Sequence, residues 1–376
     1  MRTRAGRSKL FISGTAVLLG CAVVASVLAW HAESGSAAPT RSVRAITVAP
    51  QTKKHTVVFG ISDPGLINER AKVQAAQLAK MRSIGINSIR LDANWDWVQF
   101  GGPQSFDWTQ LDQEIHAARA AKMSVDLVID GCPPWAAPTG TSKDSAPQPA
   151  SASQFATWAA DVASRYAPLG VNDFEIWNEP NDTKFWQPKP STAFYTTMLK
   201  DSFQAIRKVD KSAFIIAGGL APVAGSGGSI TAISFLRGMY QDGARPYFNA
   251  VALHPYSFPA LPGTFESWSA WSQMSQTSPS IRSVMTQFKD SGKPIWITEF
   301  GAPSNGPSGV GAAGEAAELK AAIALSKSTR WIAALYVYTW QDTGTNARSD
   351  ADWFGLINSK GQVKAAYKVV AKALGK

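Results

Sequence analysis

The sequence predicts an α/β protein folded as a single (β/α)8 TIM barrel over residues 56–376. Three observations carry that expectation: eight short apolar runs recur along the chain, amphipathic helical stretches separate them, and no shift in composition marks a second domain. Strands that alternate with helices pair in parallel through helical crossovers. Eight such units close into a barrel whose strands are buried on both faces and read as nearly continuous apolar runs. A doubly wound open sheet is the competing arrangement. It calls for a glycine-rich turn after the first strand, and "GISDPG" (60–65) is not GxGxxG.

In chain order the strand-like runs are "TVVFGIS" (56–62), "SIRLDANW" (88–95), "SVDLVID" (124–130) and "DFEIWNE" (173–179), followed by "AFIIAGG" (213–219), "FNAVALHPY" (248–256), "PIWITEFG" (294–301) and "ALYVYTW" (334–340). Helical periodicity lies between them. Phe155, Trp158, Ala159, Val162 and Tyr166 recur at spacings of three and four, as do Ile281, Val284, Met285 and Phe288. "KAAYKVVAKAL" closes the chain as a last amphipathic helix. At 45% hydrophobic residues with 14 tryptophans the core is amply supplied, and a charged fraction of 17% argues against disorder.

The N-terminus reads as an address and not as part of the fold. Arg2, Arg4, Arg7 and Lys9 precede an almost uncharged run from Leu10 to Trp30, and small residues follow in "SGSAAP". A basic segment followed by an apolar one is a secretory pattern. Residues 1–38 are expected to be a signal peptide or an N-terminal anchor, with lipid attachment at Cys21 of "LLGC" a third reading. Residues 39–55 would be a linker. The protein is thus expected outside the cytoplasm, secreted or associated with the cell envelope. Removing residues 1–38 leaves 33 basic against 26 acidic residues, a net +7 without Lys/Arg runs, so no nucleic-acid partner is expected. Membrane contact is expected only through an N-terminal anchor, and the protein is expected to act as a monomer. Only Cys132 survives such processing, so no internal disulfide forms.

Catalytic groups of a barrel come from the C-terminal ends of its strands. Those ends carry Asp63, Arg90 with Asp92 and Asn94, Asp130, Asn178 with Glu179, His254 with Tyr256, Glu299, and Trp340. Glu179 ends the fourth run and Glu299 the seventh. Glycosidic cleavage needs two facing carboxyl groups, one protonated to donate to the leaving oxygen and one ionised to attack or to activate water. A salt bridge at the barrel mouth is the competing reading for either glutamate alone. Glu175, inside the fourth run, reads as a buried structural partner, and Trp177 as a core residue able to approach the cleft if the strand twists at its end.

"IWNEPN", "LHPY", "WITEFG" and "YTW", in that order, resemble the retaining glycoside hydrolases of the large (β/α)8 clan with glutamates on strands four and seven, families 5 and 39 above all. "WFGLINSKGQVKAAY" (353–367) resembles the ending of such enzymes. The resemblance implies that Glu179 is the general acid/base and Glu299 the nucleophile. Asn178 would bond the sugar 2-hydroxyl, Arg90 and Tyr256 would contact Glu299, His254 would line the same subsite, and Trp340 would form its floor. Family 5 enzymes usually carry a histidine near the end of the third strand. Here "VIDGCPPWA" offers Asp130, Cys132 and Trp135 instead, of which Asp130 and Trp135 are candidate substrate contacts. Trp95, Trp97, Trp186, Trp268 and Trp271 are further candidate sugar platforms.

A metal-dependent hydrolase would need converging ligands, and His55, His116 and His254 fall in a linker, a helix and a strand end. A serine hydrolase would need Gly-x-Ser-x-Gly, which "AGSGGS" (224–229) misses. No metal and no cofactor are expected. The function read from the sequence is a secreted retaining β-glycosidase acting on an oligo- or polysaccharide or an envelope glycan, its aromatic loops favouring endo action. A non-catalytic glycan-binding barrel is the alternative.

Overall fold

The computed structural model describes residues 56–142 and 146–376. The signal or anchor segment and the linker lie outside the described residues. Eight parallel strands close a barrel in sequence order: β1 (Val58–Ser62), β2 (Ser88–Asn94), β3 (Ser124–Asp130), β4 (Asp173–Asn178), β5 (Phe214–Leu220), β6 (Ala250–Leu253), β7 (Ile295–Phe300) and β8 (Ile332–Tyr338). Every strand overlaps its predicted run. The helices include α1 (Ala71–Ser83), α2 (Trp95–Val98), α3 (Thr109–Ala120), α4 (Ala152–Tyr166), α5 (Thr192–Val209), α6 (Ala232–Gln241), α7 (Ala270–Ser275), α8 (Ile281–Gln287), α9 (Gly311–Ser328) and α10 (Ala365–Ala373). Ser151, Ser191, Thr231 and Ser280 cap α4, α5, α6 and α8 through their hydroxyls, satisfying backbone N–H groups that the first helical turn leaves open. Among the described residues no helix is long and apolar enough to cross a membrane.

Alternation along the strands divides the core. Outward residues such as Leu91, Leu127, Ile176, Ile215, Val251, Ile297 and Leu335 join the helices in the large apolar core. Inward residues of the second half of the barrel (Ile216, Ala250, Ala252, Trp296, Ala334, Tyr336) form a separate cluster inside it. The first half lines the interior with polar groups instead: Ser88, Arg90, Asp126 and Glu175 are all buried. A barrel interior is a packed core, so charges placed there must satisfy one another.

The eighth run is where sequence and structure part. The ladder stops at Tyr338, and the next residues bond a different segment: Thr339 N–H donates to Phe354 O (3.1 Å), Ile357 N–H to Trp340 O (3.0 Å) and Asp342 N–H to Ile357 O (2.9 Å). Trp340 is therefore not a strand-end residue. It lies at 0% exposure, its ring 6.0 Å from that of Tyr367 on α10.

Candidate active site

Arg90 organises the barrel mouth. A guanidinium has five N–H donors, and five hydrogen bonds leave this one. Nε and Nη2 bond the two oxygens of Glu175 (both 3.0 Å), Nη1 bonds Glu299 Oε1 (2.8 Å) and Ser62 Oγ (3.2 Å), and Nη2 also reaches Asn178 Oδ1 (2.9 Å). Glu175 is thus the structural partner its place inside the strand suggested, gripped as a two-toothed acceptor and further held by the Gly219 N–H (2.8 Å). Asn178, its carbonyl taken by Arg90, has its amide NH2 left to meet a ligand.

The end of β4 departs from regular strand geometry. Trp177 and Glu179 have φ of 71° and 48°, the left-handed region that bulky L-residues seldom occupy. Two glycines on β5 make room for this. A Cβ on Gly218 would lie 2.2 Å from Trp177 O, and one on Gly219 would lie 2.2 Å from His254 Nε2. Glu179 N–H in turn donates to Gly219 O (3.0 Å). The twist sends Trp177 into the core, where its Nε1–H donates to Phe185 O (3.0 Å) and its ring meets Trp186 at 5.0 Å. Glu179, at 0% exposure, is turned toward the mouth.

Oxygens of Glu179 and Glu299 lie within 4.8 Å of each other, with His254 in the same group. Their surroundings differ. Glu299 accepts from Arg90 on Oε1 and from Tyr256 Oη–H on Oε2 (2.9 Å). Burial raises its carboxyl to about 7, against the pull of Arg90 and Tyr256 toward ionisation. Glu179 has no cation in hydrogen-bond contact. Oε1 lies 2.7 Å from His254 Nδ1, and Oε2 is buried with no hydrogen-bond partner. Burial first, then the charges of Glu299 and Asp182, push it well above the carboxylate range. His254 is driven well below the usual imidazole range by burial and by Arg90, so it is neutral. The environments push the two glutamates apart in role, one toward the acid and one toward the anion.

Glu179, His254 and Glu299 are also the one trio among the described residues spaced to hold a metal ion. Their ligand atoms are already engaged, Glu179 with His254 and Glu299 with Arg90 and Tyr256, and an added dication would face the Arg90 guanidinium.

The other predicted contacts are placed as follows. Asp130, at the end of β3, receives a 3.4 Å bond from Asn94 Nδ2 and belongs to an acidic group with Asp92. Burial and then Asp92 hold it protonated well above the carboxylate range. It makes no bond to the glutamate pair. Trp135 is half-buried, its Nε1–H on Gln99 O (2.7 Å) and its ring edge-on to Trp95 at 5.3 Å. Trp95, Trp186 and Trp271 are buried structural residues, Trp268 is half-buried, and Trp97 stands 40% exposed at the rim. Trp340 is corrected: packed behind the barrel wall, it cannot floor a sugar site. Tyr338, two residues earlier, ends β8 on the inner face in one cluster with Phe258, Phe354 and Tyr256, the residue that bonds Glu299. Alternation from Ala334 and Tyr336 points to Tyr338 once the strand end is known. Thr298, which bonds His254 Nε2 (3.2 Å), is the other residue sequence reasoning passed over.

A closed (β/α)8 barrel with two buried glutamates in unlike environments at its carboxyl end has the paired carboxyl groups that glycoside hydrolysis needs. The sequence model of the cellulase family, glycosyl hydrolase family 5, matches residues 50–339. The chain belongs to that family. No curated protein matches the sequence. Among solved structures, a family 39 glycoside hydrolase from Bacteroides cellulosilyticus WH2 is similar at TM-score 0.65 and 20% identity, covering 87% of this chain and 65% of that one. A family 5 subfamily 18 protein from Streptomyces cattleya, in complex with Manβ1-4GlcNAc, aligns at TM-score 0.65 and 16% identity over 85% of this chain and 80% of that one. The exo-β-1,4-mannosidase of Opitutaceae bacterium strain TAV5 aligns at 0.57 and 17%, over 85% and 59%. The chain thus spans about two thirds or less of the length of the first and third of these, and the likeness at such identities is one of fold.

Proposed function

We propose that the protein is an exported, monomeric, retaining β-glycosidase. The observation that carries the reading is the approach of Glu179 and Glu299 to within 4.8 Å, oxygen to oxygen. Retaining enzymes hold their carboxyl groups about 5–5.5 Å apart, whereas inverting ones leave about 6.5–9.5 Å for a water. In the first step a Glu299 oxygen attacks the anomeric carbon and the glycosidic C–O bond breaks. The leaving oxygen takes the proton of Glu179, and a glycosyl ester on Glu299 remains. In the second step Glu179, now ionised, takes a proton from water, the water oxygen attacks the anomeric carbon, and Glu299 departs as carboxylate. Arg90 and Tyr256 hold the nucleophile at both oxygens, and the Asn178 amide faces the hydroxyl beside the reacting carbon.

The substrate is a β-linked oligo- or polysaccharide. The β-1,4 linkages named for the mannosidase and the Manβ1-4GlcNAc complex put β-1,4-linked mannosides, Manβ1-4GlcNAc among them, first in a screen. Rim-exposed Trp97 and half-buried Trp135 and Trp268 favour a cleft that takes several sugar units. Export rests on the basic and then apolar N-terminus. The deciding experiment follows the product anomer by NMR on the best substrate of a panel of β-linked glycans. The β-anomer should appear first. An initial α-anomer, or activity unchanged in Glu299→Gln, overturns the mechanism.

A further inference from the structure

Behind Glu179 runs a chain of buried polar groups whose direction can be worked out. Glu179 Oε1 meets His254 Nδ1 at 2.7 Å, and His254 Nε2 meets Thr298 Oγ1 at 3.2 Å. The Thr298 hydroxyl in turn donates to Glu175 Oε1 at 3.5 Å. Thr298, His254, Glu179 and Glu175 are all 0 or 1% exposed, so water is not there to substitute for a missing partner.

A threonine hydroxyl has one hydrogen to give. Glu175 can only accept, because it already takes both bonds from Arg90 and one from the Gly219 N–H. The Thr298 hydrogen has two acceptors in reach, Glu175 Oε1 at 3.5 Å and His254 Nε2 at 3.2 Å. Placed on Glu175, it leaves the Thr298 oxygen to accept from His254, and Nε2 then carries the imidazole hydrogen. A neutral imidazole has one N–H only, so Nδ1 is bare. Two bare acceptors 2.7 Å apart would repel, and the hydrogen between Nδ1 and Oε1 must therefore belong to Glu179. A second observation agrees. Glu179 Oε2 is buried without a hydrogen-bond partner, an arrangement far costlier for an anion than for a neutral acid.

We propose that Thr298 is a positioning residue: by accepting from His254 Nε2–H while donating to Glu175, it fixes the imidazole tautomer that holds the catalytic proton on Glu179. The inference rests on Glu179 being the acid of the proposed reaction. Without the Thr298 hydroxyl, Nε2–H would be left buried and unpaired at the desolvation cost of that donor, which shifts the balance toward the Nδ1–H tautomer. Nδ1–H would then donate to Glu179 and favour its carboxylate, lowering its affinity for the proton. The charged groups around this pair are Arg90 on β2, Glu175 on β4, Asp182 and Lys184 in the loop after β4, and Glu299 on β7, with Tyr256 beyond β6. Of these only Glu175 loses a contact in a Thr298→Val protein, the 3.5 Å bond from the hydroxyl, and it keeps its bonds from Arg90 and the Gly219 N–H.

The test has two arms. Long-range 1H–15N spectra of histidine-labelled protein report which nitrogen of His254 is protonated, its signals identified by their loss in His254→Asn. The wild type should show Nε2–H, and Nδ1–H there overturns the proposal whether or not the protein cleaves glycans. In the second arm, the alkaline limb of the kcat/KM profile, which reports Glu179, should move down by about one pH unit in Thr298→Val and stay in place in Thr298→Ser. A Thr298→Val limb that coincides with wild type, at whatever overall rate, also overturns it. Absence of activity on every glycan, with the tautomer as stated, counts against the glycosidase reading and leaves the wiring standing.

Discussion

Tyr256 and Arg90 both act on Glu299, and at this scale their contributions separate by pH. In the proposed reaction attack requires the Glu299 anion, and burial has raised the group to about 7, so kcat/KM should rise with pH through roughly neutral values before the loss of the Glu179 proton brings it down. The Tyr256 hydroxyl stabilises the anion, so Tyr256→Phe should move the acidic limb to higher pH, measured on any active substrate. Arg90→Lys replaces a planar fork of five bonds with a single ammonium that cannot serve Glu175, Glu299, Asn178 and Ser62 together. Steady-state kinetics should show a fall in kcat/KM of about a hundredfold or more. Tyr338→Ala should weaken substrate binding or turnover. Trp340→Ala should act through stability, costing about 3–5 kcal/mol in denaturant titration as expected for a buried tryptophan.

Among the elements, β5 does more than its sequence suggests. "AFIIAGG" reads as an apolar strand with a weak end, yet Gly218 and Gly219 are where the neighbouring strand and His254 press against bare backbone. Gly219→Ala would push a methyl group into the His254 ring. It should lose most activity at a cost of about 1–3 kcal/mol in thermal stability, and the two effects can be read separately by kinetics and calorimetry. Gly218→Ala meets the rigid carbonyl of Trp177 and should cost more. Strand existence was legible in every one of the eight runs because burial on both faces forces an apolar composition. Strand ends were less so. The eighth run continues as "TW" without any change in residue type, and only the pairing of residues 339–342 with 354–357 shows where the ladder stops. That two-residue difference exchanged Tyr338 for Trp340.

For the molecule as a whole, buried carboxyl groups outside the site should make stability fall as pH rises. Glu318 on α9 is raised by burial to about 8, with only a Ser257 hydroxyl bond opposing the shift. A raised carboxyl binds its proton more tightly in the folded state, so stability is highest below the unfolded value near 4.5 and falls as pH climbs through about 8. Glu318→Gln should flatten that decline in calorimetric scans across the window, and a slope equal to wild type would count against the assignment.

The sequence by itself determined the barrel and the family motifs and singled out the two glutamates, because eight alternating apolar runs and helices without the glycine-rich turn of an open sheet fit a closed barrel, and because a pair of carboxylates at the tips of apolar strands is hard to explain by packing. It also marked Glu175 as structural, and the family resemblance implied that Arg90 contacts Glu299. The tertiary structure decided what depends on direction and distance. It set the approach of the pair to within 4.8 Å, the five bonds of Arg90, the left-handed turn that throws Glu179 forward and Trp177 back, and the chain from Glu175 through Thr298 and His254. Such facts are three-body relations between strands far apart in sequence, and no single segment encodes them.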